Sequence, residues 1–356
     1  MIIMKKILVL FITFFILAPT SFAYSEAYVV MDADSGRVLG SKNMNEKNLI
    51  ASTTKIMTAL VAIENGNLDS IITAGDEILS VYGSMIYLDI GEEMTLEDLI
   101  YGLMYQSGND AAMTIASNIM DYDKFIETMN KKAIEIGMLN TNFENPHGLD
   151  DETKNYSTAY DLALLMRYAT KNKTFMNITG SKKYIVDSNV ERHIWYNKNK
   201  LLSTYKYATS GKIGYTTKSK HVFVSSATKG SENLVIATIK DSDRFNTHKN
   251  LYEKYFEDYD SYTILDKMTF NIKEDYYKDY HLYIKNNLQL LLNDEEKEKI
   301  KLNIELVKLK KVEDGSNVGS VNILINDNVI HSEKIYVSKI ENKIQKIKNW
   351  LFFWKN

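Results

Sequence analysis

The chain has 356 residues, 45% hydrophobic and 25% charged, enough to bury a sizeable core and to form two domains. A formal net charge of -3, with Lys mixed among Asp and Glu, gives no broad basic field and argues against a nucleic-acid partner. Cys is absent, which excludes disulfides, thiolate zinc sites and Cys nucleophiles, and the six His occur singly without ligand spacing, so neither metal nor cofactor is expected.

Lys5 and Lys6, the apolar run Ile7 to Leu17, Pro19 and the small-residue pattern Ser21-Phe22-Ala23 predict a signal peptide over 1-23, cleaved after Ala23. The run is shorter than the ~20 residues of a spanning helix, which argues against an uncleaved anchor. Export to the outer face of the cytoplasmic membrane or the wall leaves hydrolysis or binding as the expected chemistry, because ATP and reduced nicotinamide are not supplied there. Ala27 to Lys42 alternates and turns at Asp34-Ser35-Gly36, predicting a hairpin. Ile56, Ala59, Leu60 and Ile63 share one helical face before Gly66, so Thr53 to Asn65 reads as a buried helix with Ser52 at its N-terminal edge. Thr95 to Asp98 reads as a capping box opening a helix towards Gln106, and Asp110 to Met120 and Ala159 to Ala169 as two more. Val222 to Ala227 and Leu234 to Ile239 are β-rich runs around Lys229-Gly230-Ser231, a second hairpin.

Strands at both ends with helices between them predict a mixed sheet-and-helix domain over 24-258. Leu282 to Ile284, Ile304 to Leu309 and Val318 to Ile325, separated by Asp-Gly and Asn-Asp turns, predict a small all-β domain over 259-337. Over 338-356, Ile340, Ile344, Ile347, Leu351 and Trp354 recur at steps of four and three among Lys339, Lys343, Lys346, Lys348 and Lys355. That pattern predicts a basic amphipathic helix lying on a membrane surface, with docking on protein as the alternative.

Ser52-Thr53-Thr54-Lys55 places a hydroxyl and an amine one helical turn apart, where a partly desolvated Lys acts as base for a Ser nucleophile and the helix start favours an oxyanion. Two other stretches, Ser203 to Lys206 and Ser226 to Lys229, match the same pattern, so the motif alone is weak; only the first opens a periodic apolar helix. Ser107-Gly108-Asn109 falls in a break between two predicted helices, where an ordinary capped connection is the plainer reading. Lys212 in Gly211-Lys212-Ile213-Gly214-Tyr215 projects from an expected strand edge beside which Gly214 admits a ligand.

The three motifs in this order resemble the active-site set of penicillin-binding proteins and serine β-lactamases. Met31 to Leu39, Ala51 to Glu64, Leu103 to Ala112, Asn145-Pro146-His147-Gly148-Leu149 and Asn197 to Leu202 resemble specifically the low-molecular-weight D-alanyl-D-alanine carboxypeptidases, from Tyr24 to about Asp258. The resemblance implies an α+β DD-peptidase/β-lactamase-like domain, an antiparallel sheet with helices on both faces, followed by a small all-β domain and a C-terminal amphipathic helix. It implies removal of the terminal D-alanine from peptidoglycan stem peptides and covalent inhibition by β-lactams. Ser52 is the implied nucleophile and Lys55 the base; Ser107 and Asn109 relay the proton and orient substrate. By the same resemblance Lys212 would contact the terminal carboxylate or the proton network, Arg244 would help hold the carboxylate, and the Ser52 and Tyr215 N–H groups, beside Gly214, would form the oxyanion hole. No cofactor is implied.

Ile213 departs from the family, which usually has Thr there, so a hydroxyl donated to the substrate carboxylate is lost. A β-lactamase is a competing reading, but its deacylating Glu-x-x-Leu-Asn segment is not matched by Glu135 to Asn140. A non-catalytic wall-peptide binder is another, opposed by retention of every catalytic residue type.

Overall fold

The computed structural model describes residues 25-152 and 154-340. The signal peptide expected over 1-23 lies outside the described residues, as does most of the helix expected over 338-356; Ser338 and Lys339 continue a strand. Among the described residues no helix is long and apolar enough to cross a membrane. The chain divides into two compact units, one holding the described residues to Ala33 and Val38 to Lys254, the other Asp34 to Arg37 and the described residues from Tyr255 onward.

In the first unit a five-stranded antiparallel sheet has the order Val38–Lys42, Ala27–Asp32, Glu232–Ile239, Lys220–Lys229, Ala208–Thr216. The two expected hairpins are both present, and their first and last strands meet in the sheet, Ala27 opposite Ile239. Alternation gives the sheet two apolar faces. Val29, Met31, Val222, Val224, Val235 and Ala237 join the main core, on which the helix Ala159–Ala169 packs. Phe223, Ser225 and Thr238 face the helix Arg244–Asp258, where His248 bridges the Ser225 and Thr238 hydroxyls and Phe245 meets Phe223.

Between the hairpins lie the helices Lys55–Asn65, Leu96–Tyr105, Asn109–Ile119 and Tyr122–Ile136. The capping box is formed: Thr95 Oγ1 accepts from the Asp98 N–H and the Asp98 carboxylate accepts from the Thr95 N–H. The helix Tyr122–Ile136, unread in the sequence, starts at an Asp121 cap and stops at Gly137, whose φ of 93° only glycine adopts freely.

The second unit contains the hairpin Asp260–Leu265 with Leu288–Leu292 and a four-stranded sheet ordered Tyr280–Tyr283, Asn328–Lys339, Asn317–Ile325, Ile300–Leu306. Its own core joins Leu282, Leu290, Val321, Ile323, Ile335 and Val337. The all-β reading of this part holds, with one short helix, Asp294–Lys299, added. The turn Asp34–Arg37 groups with it through Arg37, which donates to the Leu291 carbonyl and pairs with Glu296.

Candidate active site

Ser52 lies in a single 3-10 turn, Ala51–Thr54, that runs directly into the helix Lys55–Asn65. The turn is entered through Ala51 at φ 47°, a left-handed conformation that a non-glycine residue holds only under constraint. Lys55 sits on the helix face shared with Thr54 and Thr58. These polar residues point into the protein because a loop docks there: Asn155 donates to Thr54, and the Thr58 hydroxyl donates to the Pro146 carbonyl.

Lys55 is fully buried. Its Nζ lies 2.7 Å from Asn109 Oδ1, 2.6 Å from the His147 carbonyl and 3.1 Å from Ser52 Oγ. Burial holds its pKa well below the usual lysine range; the Lys212 charge pushes the same way, Asp110 opposes, and Lys198 adds to the depression. A neutral amine has two N–H groups and one lone pair. Asn109 and His147 take the two N–H groups, so the lone pair is left for the Ser52 hydroxyl. In its neutral form an amine so placed can act as a base towards one particular oxygen.

Ser107 connects the helices Leu96–Tyr105 and Asn109–Ile119 at φ 65°. Its Oγ accepts from Lys212 Nζ at 3.0 Å, and Lys212 also donates to the Ile213 carbonyl. Lys212 is buried on the strand Ala208–Thr216, at one end of the sheet, where the sequence reading expected a strand edge. Burial, then the Lys198 charge, lowers its pKa to about 7. Asn109 donates through Nδ2 to the Tyr82 carbonyl, which turns Oδ1 towards Lys55. Beside it the buried Asp110 carboxylate accepts from the N–H groups of Ile86, Tyr87 and Leu88, fixing the loop that carries Tyr82.

Two glycines let backbones close on Ser52. A Cβ on Gly214 would lie 3.0 Å from the Ser52 nitrogen, and one on Gly148, whose φ is 93°, would lie 2.0 Å from the Ala51 carbonyl oxygen. Asn145 shapes the second approach, its Oδ1 accepting from the His147 and Gly148 N–H groups. Ser52, Asn109 and Tyr215 line a cleft of about 370 Å³ with Tyr82, Gly148 and Thr216. Tyr215 is exposed and its ring meets that of His221 at a tilt of 40°, 4.6 Å between centroids.

Of the eight residues singled out in the sequence, Ser52, Lys55 and Asn109 form one bonded cluster and Ser107 with Lys212 another, while Tyr215 lines the cleft and Gly214 lies against the Ser52 backbone. Arg244 is joined to neither cluster: its guanidinium lies over the Phe245 ring, its buried Nε has no hydrogen-bond partner among the described residues, and its charge is felt at His221. Asp110, Asn145, the His147 carbonyl and Gly148 were not assigned roles from sequence. Three of them stand in the run Asn145-Pro146-His147-Gly148, which was the available signal. Thr216, the nearest spare hydroxyl to Ile213 along the strand, is already engaged, donating to Asp150 Oδ2 at 2.6 Å.

The family described as D-alanyl-D-alanine carboxypeptidase matches residues 18-243, and the one described as penicillin-binding protein 5, C-terminal domain, matches residues 259-343. Among characterised relatives, D-alanyl-D-alanine carboxypeptidase DacF of Bacillus subtilis is 36% identical over 59% of this chain and 56% of its own length. DacC of Escherichia coli is 30% identical over 70% of this chain and 68% of its own. The chain thus spans only about half the length of the Bacillus relative. Among solved structures, penicillin binding protein 5 from Haemophilus influenzae superposes with a TM-score of 0.75 at 25% identity, covering 91% of this chain and 98% of its own. A D-alanyl-D-alanine carboxypeptidase from Mycobacterium tuberculosis gives 0.63 at 31% identity, covering 65% of this chain and 91% of its own.

Proposed function

The chain belongs to the D-alanyl-D-alanine carboxypeptidase family, and from that premise we propose that it hydrolyses the terminal D-alanine from peptidoglycan stem peptides through an acyl-enzyme on Ser52. The observation that carries the reading is the placement of the buried Lys55 amine, its two N–H groups bound elsewhere and its lone pair 3.1 Å from Ser52 Oγ. Ser52 loses its proton to Lys55 and attacks the carbonyl between the two D-alanines. The oxyanion forms at the Ser52 and Tyr215 N–H groups, where Gly214 permits the close approach. The pair Ser107 and Lys212 returns a proton to the departing D-alanine nitrogen, and Lys212 and Arg244 supply positive charge for its carboxylate. The proton that Lys55 took from Ser52 passes to the Ser107 and Lys212 pair, replacing the one given to D-alanine, and the neutral Lys55 then deprotonates a water that attacks the acyl-enzyme and releases the shortened peptide. A β-lactam acylates the same serine and leaves slowly.

In this reading residues 24-258 are the catalytic domain and 259-337 an accessory β domain. Residues 1-23 direct export to the outer face of the cytoplasmic membrane or the wall, and the basic apolar segment 338-356 holds the enzyme on the membrane surface. The test is labelling by a fluorescent penicillin followed by D-alanine release from a pentapeptide ending in D-alanyl-D-alanine. Labelling on Ser52 with D-alanine release is expected. Labelling without release refutes turnover, and labelling that persists in Ser52→Ala refutes the nucleophile.

A further inference from the structure

The strand Ile300–Leu306 is the last of the four-stranded sheet in the second unit, and among the described residues no strand pairs with its outer edge. Edges are commonly blunted by a bulge, a proline or a very short strand. This one keeps an unbroken register with Asn317–Ile325 along its whole length and contains neither Pro nor Gly. Ile300, Leu302, Ile304 and Leu306 lie on the sheet face of Val321 and Ile323, which are buried in that unit's core. Leu302 and Ile304 are nevertheless 51% and 44% exposed, so an apolar stripe follows the edge. Lys301, Asn303 and Glu305 occupy the other face, all of them exposed. The backbone has a matching parity. The Val307 N–H donates to the Val318 carbonyl, and a Cβ on Gly319 would lie 2.0 Å from the Glu305 carbonyl oxygen, so odd-numbered residues bond to the inner neighbour. By alternation the N–H and C=O groups of Ile300, Leu302, Ile304 and Leu306 point outward.

We infer that this edge pairs with itself: two copies of the chain join antiparallel through Ile300–Leu306, about a two-fold axis at Asn303, and merge their sheets into one. The run Ile-Lys-Leu-Asn-Ile-Glu-Leu is complementary to its own reverse. About Asn303, Lys301 faces the partner's Glu305 and Glu305 the partner's Lys301, while Leu302 faces the partner's Ile304 and Ile300 the partner's Leu306. The parity agrees, because outward-pointing even residues then meet even residues and exchange their free N–H···O=C bonds. The two charge pairs fall at the positions without backbone bonds, where facing side chains are closest. A slip of two residues sets Lys301 or Glu305 against Asn303, and a slip of four sets like charges face to face, so charge selects one register. Within one copy Lys301 pairs with Asp327 at 3.0 Å and Glu305 accepts from Asn303 Nδ2. Both contacts are exposed and are readily exchanged for the new ones. A two-fold pairing consumes the edge of each copy and closes, so it gives a dimer and not a fibre.

Sedimentation velocity on the chain from Tyr24 to Asn356, between about 1 and about 100 µM, tests the pairing. A reversible dimer with a Kd inside that range is expected, since two short strands make an interface at the small end of those known. Lys301→Glu and Glu305→Lys each turn both charge pairs repulsive and should raise the Kd at least about fivefold. Combined in one chain they restore opposite charges across the axis, and the Kd should return to within about twofold of the parent. Deleting 341-356 should leave the dimer intact. A chain that stays monomeric throughout, single variants that associate as the parent does, a double variant no better than the singles, or a dimer lost with residues 341-356 overturns the inference. A dimer seen only after that deletion assigns the edge to the deleted segment and overturns it as well.

Discussion

Lys212 should weaken the fold that holds it, and replacing it should therefore make the protein more stable and less active. Its amine is 2% exposed and has a hydroxyl and a carbonyl as partners but no carboxylate. The pKa falls from 10.5 in the unfolded chain to about 7 in the folded one, chiefly through burial. Between those values the unfolded chain binds more protons, so this group makes stability rise with pH through the window and imposes its full penalty below pH 7. The linkage amounts to roughly 4 kcal/mol at pH 7 and roughly 2 kcal/mol at pH 9. Lys212→Met keeps the volume and removes the charge. Losing the bond to Ser107 returns about 1 kcal/mol of that gain. A net 2 to 3 kcal/mol corresponds to a Tm higher by about 4-10 °C in a domain of this size. Differential scanning calorimetry of the two proteins at pH 7 and pH 9 measures this. The advantage should shrink at the higher pH. A variant melting at or below the parent at pH 7, or an advantage that grows with pH, would refute the argument that the amine is held against its own desolvation.

Lys55→Ala should slow penicillin acylation by about 10²–10⁴-fold near neutral pH, read by mass spectrometry of the adduct. In the parent protein acylation should fall as pH drops through the lowered Lys55 pKa, because the lone pair is lost there, and a rate independent of pH down to the carboxylate range would contradict it. Gly148→Ala places a Cβ 2.0 Å from the Ala51 carbonyl oxygen at a φ of 93°. It should lower the urea midpoint by the equivalent of at least about 1–2 kcal/mol and reduce acylation, since the displaced backbone carries Ser52. Ile213→Thr should raise kcat/KM on a free D-alanyl-D-alanine terminus by roughly tenfold to a few hundredfold, the equivalent of 1.5–3 kcal/mol, and leave a C-terminally amidated peptide little changed. Deleting 341-356, which spares the strand ending at Lys339, should release the protein from anionic vesicles; equal binding with and without the segment would remove the anchor.

Local signals carried much of this fold into the sequence reading. The capping box at Thr95 and the hairpin turn at Lys229-Gly230-Ser231 each satisfy their hydrogen bonds within a few residues, so residue type alone locates them. The helix Tyr122–Ile136 was missed because only Phe125, Met129 and Ala133 are fully buried among its fifteen residues, a stripe too narrow to dominate the charged positions between. The strand Ala208–Thr216 was only half legible because Gly211 and Gly214 lower its strand propensity. Both are there for a neighbour distant in sequence, Gly214 for the Ser52 backbone and Gly211 for Asn199 and Ser225. The strand Ile300–Leu306 was placed four residues too late, for it is exposed along most of its length and its alternation carries no burial signal.

The same division separates the order of the active-site motifs from their protonation. Ser52 and Lys55 are one helical turn apart, so their pairing follows from spacing. The Lys55 pKa is lowered by burial, and the direction left open towards Ser52 depends on Asn109, 54 residues away, and on a carbonyl of His147, 92 residues away. Each must accept an N–H for the third direction to be left to the serine. Lys212 acts on this arrangement through charge: by carrying a proton part of the time near pH 7 it lowers the proton affinity of Lys55. Lys198, exposed and donating to the Gln106 carbonyl, lowers both. Lys55 and Lys212 are both buried and each is depressed by a neighbouring amine, which disfavours charge on both at once. In the proposed reaction the depressed pKa makes Lys55 a weaker base but leaves it unprotonated more of the time, so its lone pair is available when Ser52 gives up a proton. Removing Lys198 or Lys212 should then raise the pKa of Lys55, a coupling that no single motif contains.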